Sequence, residues 1–323
     1  MKKLIVLSLF ITPVFVHAQF DGVVGTEGCK AIHCKDVRIR AWATNCFVER
    51  GYQDIADPDK GWVDYGTESF AIGEVKDSIA TDVISLGDGG VAILGFDVPI
   101  KNGDGYDFVV FENSLNDIFL ELAFVEVSTD GLHYVRFPST SNTPTNQQVG
   151  SFGSIDAKHI NNLAGKYRVG WGTPFDLQEL TNAVDIDINT IHYVKIVDIV
   201  GSIDSLYARC DSKGNVINDP YPTAFNSGGF DLAGVGVLNQ SSIVDYYDEL
   251  VCKIFPNPCI EGITIESEAI CLILYNAMGQ IIKKVEPKQT STYIDMQTLT
   301  DGIYVLCLET NKKRKFIKII KKS

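Results

Sequence analysis

Short apolar runs, each bounded by a glycine- or aspartate-rich turn, recur along the whole chain, and that rhythm restricts it to β structure. Val91-Ala92-Ile93-Leu94-Gly95-Phe96 follows Gly87-Asp88-Gly89-Gly90, and an apolar run over residues 106–112 follows Asn102-Gly103-Asp104-Gly105. Runs at 122–128 and 133–137 are joined by Asp130-Gly131, a hairpin signal, because both residues tolerate the positive φ of tight turns. Residues 193–199 and 235–238 extend the series, and only residues 177–183 read as a short helix. No internal repeat or low-complexity run interrupts the pattern. Residues 20–240 suffice for one domain with its own core. The expectation is an all-β fold with a jelly-roll or sandwich body.

Charge divides the chain. The whole sequence carries a net charge of -13. Residues 251–323 hold 11 Lys and Arg against 7 Asp and Glu, a net +4. Lys2 and Lys3 add +2, which leaves -19 for the rest. A body this acidic repels nucleic acid and anionic lipid, so neither is an expected partner. It is compatible with bound divalent cations, and also with a plain solvated surface.

The N-terminus carries an export signal. Met1-Lys2-Lys3 is a positive n-region, residues 4–16 are apolar, and His17-Ala18-Gln19 places a small residue at a cleavage point after Ala18 or Gln19. This is the pattern of a secretory signal peptide over residues 1–19. No cysteine follows it to take a lipid anchor, and no segment reaches the ~20 apolar residues of a spanning helix. Eight cysteines lie outside the signal: 29, 34, 46 and 210 in the body, 252, 259, 271 and 307 in the tail. Even numbers on an exported chain point to disulfides, with the pairing open. Zinc is the other use, but no C-x-x-C occurs, and Cys29 and Cys34 around His33 make only a weak knuckle.

The last residues read as a separate small β-domain behind a polar, acidic linker at 241–250. It contains Phe255-Pro256-Asn257-Pro258, Tyr275-Asn276-Ala277-Met278-Gly279, Gly302-Ile303-Tyr304-Val305 and a lysine-rich final strand. Residues 251–323 thereby resemble the type A C-terminal sorting domain of the type IX secretion system of Bacteroidetes. The resemblance implies an Ig-like β-sandwich recognised by the secretion machinery, and a secreted or outer-membrane-surface location.

The body has resemblances of its own. Its strand order, with Val125-Glu126-Val127-Ser128-Thr129-Asp130-Gly131-Leu132-His133-Tyr134 in the middle and Phe230-Asp231-Leu232-Ala233-Gly234-Val235 at the end, resembles the galactose-binding-like jelly roll. Ser85-Leu86-Gly87-Asp88-Gly89-Gly90, Asp107-Phe108-Val109-Val110-Phe111-Glu112-Asn113, Gly170-Trp171-Gly172-Thr173-Pro174-Phe175 and Ser227-Gly228-Gly229-Phe230-Asp231 are similar to an uncharacterised family of exported bacterial surface proteins. That family implies fold and location, not activity.

No catalytic set stands out. There is no H-E-x-x-H and no G-x-S-x-G elbow, and Gly87-Asp88-Gly89-Gly90 leads into a strand rather than a phosphate-binding helix. Abundant carboxylates leave a glycosidase pair open without selecting two residues. The expectation is therefore a binding protein rather than an enzyme, with carbohydrate or another small extracellular molecule as ligand. Capture of a cofactor such as cobalamin for an outer-membrane transporter is a variant, and a glycan hydrolase or lyase, or an adhesive protein, are the alternatives. Trp171, Phe175, Trp62, Tyr65 and Tyr221 are the loop aromatics expected to stack on a ligand. Glu112 and Asn113, polar at the end of an apolar strand, are its expected hydrogen-bonding pair. A structural calcium ion is expected on closely spaced acids in a turn, with Asn102, Asp104 and Asp107 as its ligands. Residues 57–64 show the same alternate-acid spacing and 211–219 a looser version, and in any one of these loops side chains that bond their own backbone are the commoner use of such residues.

Overall fold

A computed structural model describes residues 20–79, 81–240, 252–277, 279–310 and 314–322. The signal segment 1–19 and the linker 241–250 lie outside these residues. The chain divides into two compact units, Met1–Gln240 and Ser241–Ser323.

The first unit is an antiparallel β-sandwich. One sheet has the order Ile32–His33, Trp171–Phe175, Phe108–Glu112, Asp231–Val237, Ala41–Trp42, with Ile84–Ser85 also pairing to Asp231–Val237. The other has the order Asn45–Glu49, Val91–Ile100, Ile191–Asp198, Ala123–Ser128, Val135–Arg136. From Val91–Ile100 onward the long strands alternate between the sheets, as a jelly roll winds.

Alternation explains the core. Leu94, Phe108, Val110, Val125, Val127, Val194, Ile196 and Leu232 interdigitate between the sheets. Phe108–Glu112 is buried at every position, although strands of a half-solvated sheet alternate. Its other face is covered too: Val109 and Phe111 pack beneath Ile32, Cys34 and Leu238. Residues 177–183, read as a helix, form only a short 3-10 turn at Leu177–Leu180.

Strand polarity then gathers the strand ends. Glu112 continues the inward series Phe108, Val110, and Asp198 continues Val194, Ile196. Asp231 opens the strand antiparallel to Phe108–Glu112, and Ala123 pairs with Asp198. One end of the sandwich therefore collects Glu112, Asp231, Asp198 and, just before Ala123, Glu121.

The second unit is a seven-stranded Ig-like sandwich. Cys252–Phe255, Gly262–Ser267 and Ser291–Asp295 form one sheet; Ile281–Val285, Cys271–Asn276, Gly302–Glu309 and Arg314–Lys321 form the other. Ile263, Ile265, Leu272, Leu274, Leu306 and Ile319 fill its core. The expected disulfides are not formed: all eight cysteines are thiols, four of them buried. Cys46 packs against the apolar core, and burial pushes its thiol up to about 12. Among the described residues no helix is long and apolar enough to cross a membrane.

Candidate functional site

The acidic end of the body opens into a cavity of about 170 Å³. Glu112, Glu121 and Asp231 form its wall, and Phe119, Phe152 and Phe225 lie at its mouth. Glu112 is 3% exposed, and its Oε2 is buried without a hydrogen-bond partner. Burial first, then the charge of Asp231, pushes its carboxyl well above the usual range, against the opposing effect of the Asn113 and Ser114 amides. Glu121 is pushed the same way by burial and by Asp231, Glu112, Asp219 and Asp198. Asp231 accepts a hydrogen bond from the Ser85 hydroxyl, and burial raises it to about 6. Desolvation is the common cause, because it disfavours the charged form of an acid.

Behind this wall stand three carboxylates whose oxygens serve the backbone. Asp198 accepts from the Phe230 N–H at 2.8 Å and the Gly89 N–H at 2.9 Å. Asp219 accepts from the Leu122 N–H at 2.9 Å, and Asp88 from the Ile55 N–H at 2.8 Å. Burial, then the charge of Asp88, raises Asp198 to about 8, and burial with the charge of Asp54 raises Asp88 to about 7. These acids join loops; the wall carboxylates face the cavity.

The aromatic rim comes from two braced loops. Phe152 is 77% exposed, with its ring 6.2 Å from Phe119 and 5.7 Å from Phe225. The Gly153 N–H to Gly150 carbonyl bond closes the turn under Phe152. The loop of Phe225 is fixed by its Thr223 carbonyl contact, by the Gly228 N–H, and by the Asn226 carbonyl, which accepts from Asp64 and Tyr65. Gly229 has φ +71°, and a Cβ there would lie 2.8 Å from Asp198 Oδ1, so the loop requires glycine.

Of the residues expected to bind ligand, Glu112 and Asn113 line this cavity. The others do not. Phe175 is a correction: it is 1% exposed, stacks on Phe108 at 5.3 Å and meets Phe137 edge-on at 5.0 Å, as core. Its segment, read as a loop, is the strand Trp171–Phe175, and its side chain follows the inward alternation. Trp171 begins that strand and packs edge-on against His33 at 4.7 Å. Trp62 is exposed but stacks on Tyr52 at 4.1 Å. Tyr221 donates to Asp54 Oδ1 at 3.1 Å, and Tyr65 to the Thr81 carbonyl at 3.0 Å.

The calcium loop is also organised differently. Asp107 is fully buried, and accepts from the Gly103 N–H at 2.8 Å, the Leu177 N–H at 2.7 Å and the Asn239 amide at 3.0 Å. Asp104 faces solvent, and Asn102 donates to Gln178 at 2.9 Å. Asp107 thus braces the turn, Asn102 ties it to Gln178 while its Oδ1 stays buried without a partner, and Asp104 is exposed. Asp211 does the same in its own loop, accepting from Lys213, Asn215 and Ser141 amides. Lys60 occupies the remaining loop, 2.6 Å from Asp54.

Among the described residues, His33, Cys34 and Asp77 are the one His/Cys/Asp/Glu trio with ligand atoms within 4.8 Å of one another. Its hydrogen bonds explain it without an ion. His33 Nδ1 accepts the Lys35 N–H at 3.2 Å, so Nε2 carries the proton given to Asp77 at 2.9 Å. Lys35 Nζ holds the other Asp77 oxygen at 2.9 Å. Burial, then Asp77, raises the Cys34 thiol, which keeps it protonated and a poor ligand.

Sequence reading missed Glu121, Asp231 and the three phenylalanines. Phe152 stands in Gly150-Ser151-Phe152-Gly153 and Phe225 in Thr223-Ala224-Phe225-Asn226. These polar, glycine-containing settings are the same signal that selected Trp171.

Residues 253–322 match the family described as the secretion system C-terminal sorting domain. The second unit is thus a type IX secretion sorting domain, which implies export to the cell surface or the extracellular space. No curated protein matches the chain. Among solved structures, PorZ, an essential surface component of the type IX secretion system of Porphyromonas gingivalis, is 12% identical with a TM-score of 0.22, over 83% of this chain and 41% of that one. β-Glucuronidase 3 of Bacteroides uniformis is 10% identical with a TM-score of 0.20, over 87% of this chain and 34% of that one. The chain spans less than half of either protein, and TM-scores of this size establish no common fold.

Proposed function

We propose that the body captures a small extracellular ligand, a carbohydrate first among the candidates, at the acidic end of the sandwich, while the sorting domain directs the protein to the cell surface. The observation that carries this reading is the buried, unpaired Glu112 Oε2 in a cavity rimmed by exposed phenyl rings. A buried carboxylate oxygen without a partner is costly, and a ligand N–H or O–H relieves that cost. Exposed phenyl rings give a sugar's apolar face a platform. The cavity is smaller than the roughly 300–1,000 Å³ of drug-sized sites, which suits one sugar unit or a chain end. Glycan-array and thermal-shift screening of the mature chain tests this. The expected result is stabilisation by a subset of sugars, lost in Phe152→Ala and Phe225→Ala. Binding unaffected by both substitutions would place the ligand elsewhere.

A second reading, glycan hydrolysis, has one observation in its favour. Burial raises Asp231 only to about 6, whereas Glu112 and Glu121 are held well above the usual range. Such a split is what a general acid and its ionised partner need. Turnover of chromogenic glycosides, abolished in Asp231→Asn, would establish it; no turnover of any glycoside that binds would dismiss it.

A further inference from the structure

The cavity wall holds three carboxylates, and its lining contains no Lys, Arg or His. Elsewhere in the body, acids in confined positions are answered. Asp21 pairs with Lys166, Glu126 with Arg136 and Lys195, and Asp54 with Lys60. Asp198, Asp219 and Asp88 each take a backbone N–H. Glu112 alone combines near-complete burial, an unpaired carboxylate oxygen and a place in this wall. A carboxyl oxygen in that position takes a proton, a neutral hydrogen-bond donor or a cation, and a cation also answers the clustered negative charge of the wall.

The spread of the wall decides which cation. A bare metal ion draws its oxygens into one shell of about 2.3–2.6 Å for calcium. Glu112, Glu121 and Asp231 do not form a trio within 4.8 Å, since His33, Cys34 and Asp77 are the one such group among the described residues. An ammonium group, with three N–H donors on an organic body, spans a wider wall. Its body meets the phenyl rim of Phe152 and Phe225, and phenyl faces attract an ammonium charge.

We infer that this cavity selects a protonated amine, and that among sugars it prefers an amino sugar to its neutral counterpart. The inference rests on the ligand-capture reading above and adds the charge of the ligand. Binding is linked to protons. Glu112, Glu121 and Asp231 face the amine; Asp198, Asp219 and Asp88 stand behind them, and Arg209 is the cation that acts on Asp198. The amine displaces protons from the raised carboxyls to solvent, so its affinity rises with pH until the amine loses its own proton, for a sugar amine at about 7.7–8, and falls above that.

The test is calorimetric titration of the mature full chain with glucosamine, glucose, N-acetylglucosamine, n-butylammonium chloride and calcium chloride. Glucosamine is expected to bind roughly tenfold more tightly than glucose or N-acetylglucosamine, the size of one charge-assisted hydrogen bond. Heats measured in buffers of different ionisation enthalpy should show proton release, and Glu112→Gln should reduce glucosamine to the level of glucose. Glu121→Gln repeats the measurement if circular dichroism shows that Glu112→Gln has lost the fold. Equal affinity for glucose and glucosamine, both lost in Phe152→Ala, would overturn the amine preference and leave the capture reading intact. Calcium binding lost in Glu112→Gln, with no amine binding, would replace the amine by a metal ion. No binding of any of the five would overturn both.

Discussion

Asp21 and Lys166 show what single residues contribute here. They are 6% and 3% exposed and lie 2.7 Å apart, with the Tyr167 hydroxyl donating to the same carboxylate. Burial opposes the charge on Asp21, but the hydrogen bonds from Lys166 and Tyr167 outweigh it and hold the carboxyl below its ordinary value. A depressed acid stabilises the fold above its unfolded value of about 3.9 and loses that contribution as pH falls through the folded value. Lys166→Met leaves a buried anion, so it should cost about 3–5 kcal/mol, read by urea denaturation at pH 6. Gly165 is a second such position. Its φ is +84°, and a Cβ would overlap the Glu121 carbonyl oxygen. Gly165→Ala should cost about 1–3 kcal/mol and shift Glu121 in the cavity wall. An unchanged denaturation midpoint would contradict either account.

At the scale of elements, the two kinds of phenylalanine behave oppositely. Phe175 sits between Phe108 and Phe137 in the core, so Phe175→Ala should cost about 3–5 kcal/mol. Phe152 is mostly exposed, so Phe152→Ala should leave the melting temperature nearly unchanged and remove ligand binding. Melting curves beside titrations separate the two. The long strands were legible because Val91–Ile100 and Ala123–Ser128 are rich in β-branched and aromatic residues between clear turns. Trp171–Phe175 was not, since Gly172 and Pro174 are poor strand formers. It pairs with Phe108–Glu112 through tertiary context alone. Asn45–Glu49 was missed because Phe47 faces outward and breaks the apolar-in, polar-out alternation that Cys46 and Val48 would otherwise show.

The whole molecule couples charge to stability and to location. Asp231 and Asp107 are raised to about 6, Asp88 to about 7 and Asp198 to about 8. A raised acid contributes stability fully below its unfolded value near 4 and loses it as pH rises through the folded value. The melting temperature of the body should therefore fall between pH 5 and pH 8.5, with maximal stability in the mildly acidic range where Asp21 is already ionised. A flat profile would show that these acids are ionised in the fold. Deletion of residues 252–323 should leave the acidic unit folded and confine it to the periplasm; undiminished surface display would contradict the role of the sorting domain. The sequence by itself determined the class of fold and the split into an acidic body and a basic tail, because these depend on local periodicity, turn chemistry and composition; the sorting role of the tail was legible through its resemblance to a known family. The sequence also marked Glu112, since a carboxylate on the inward face of an apolar strand is anomalous wherever the strand lies. Only the tertiary structure decided that Glu121 and Asp231, 110 residues apart in the chain, join Glu112 in one wall. Antiparallel pairing brings the end of one strand beside the start of another, and that adjacency is a property of the sheets.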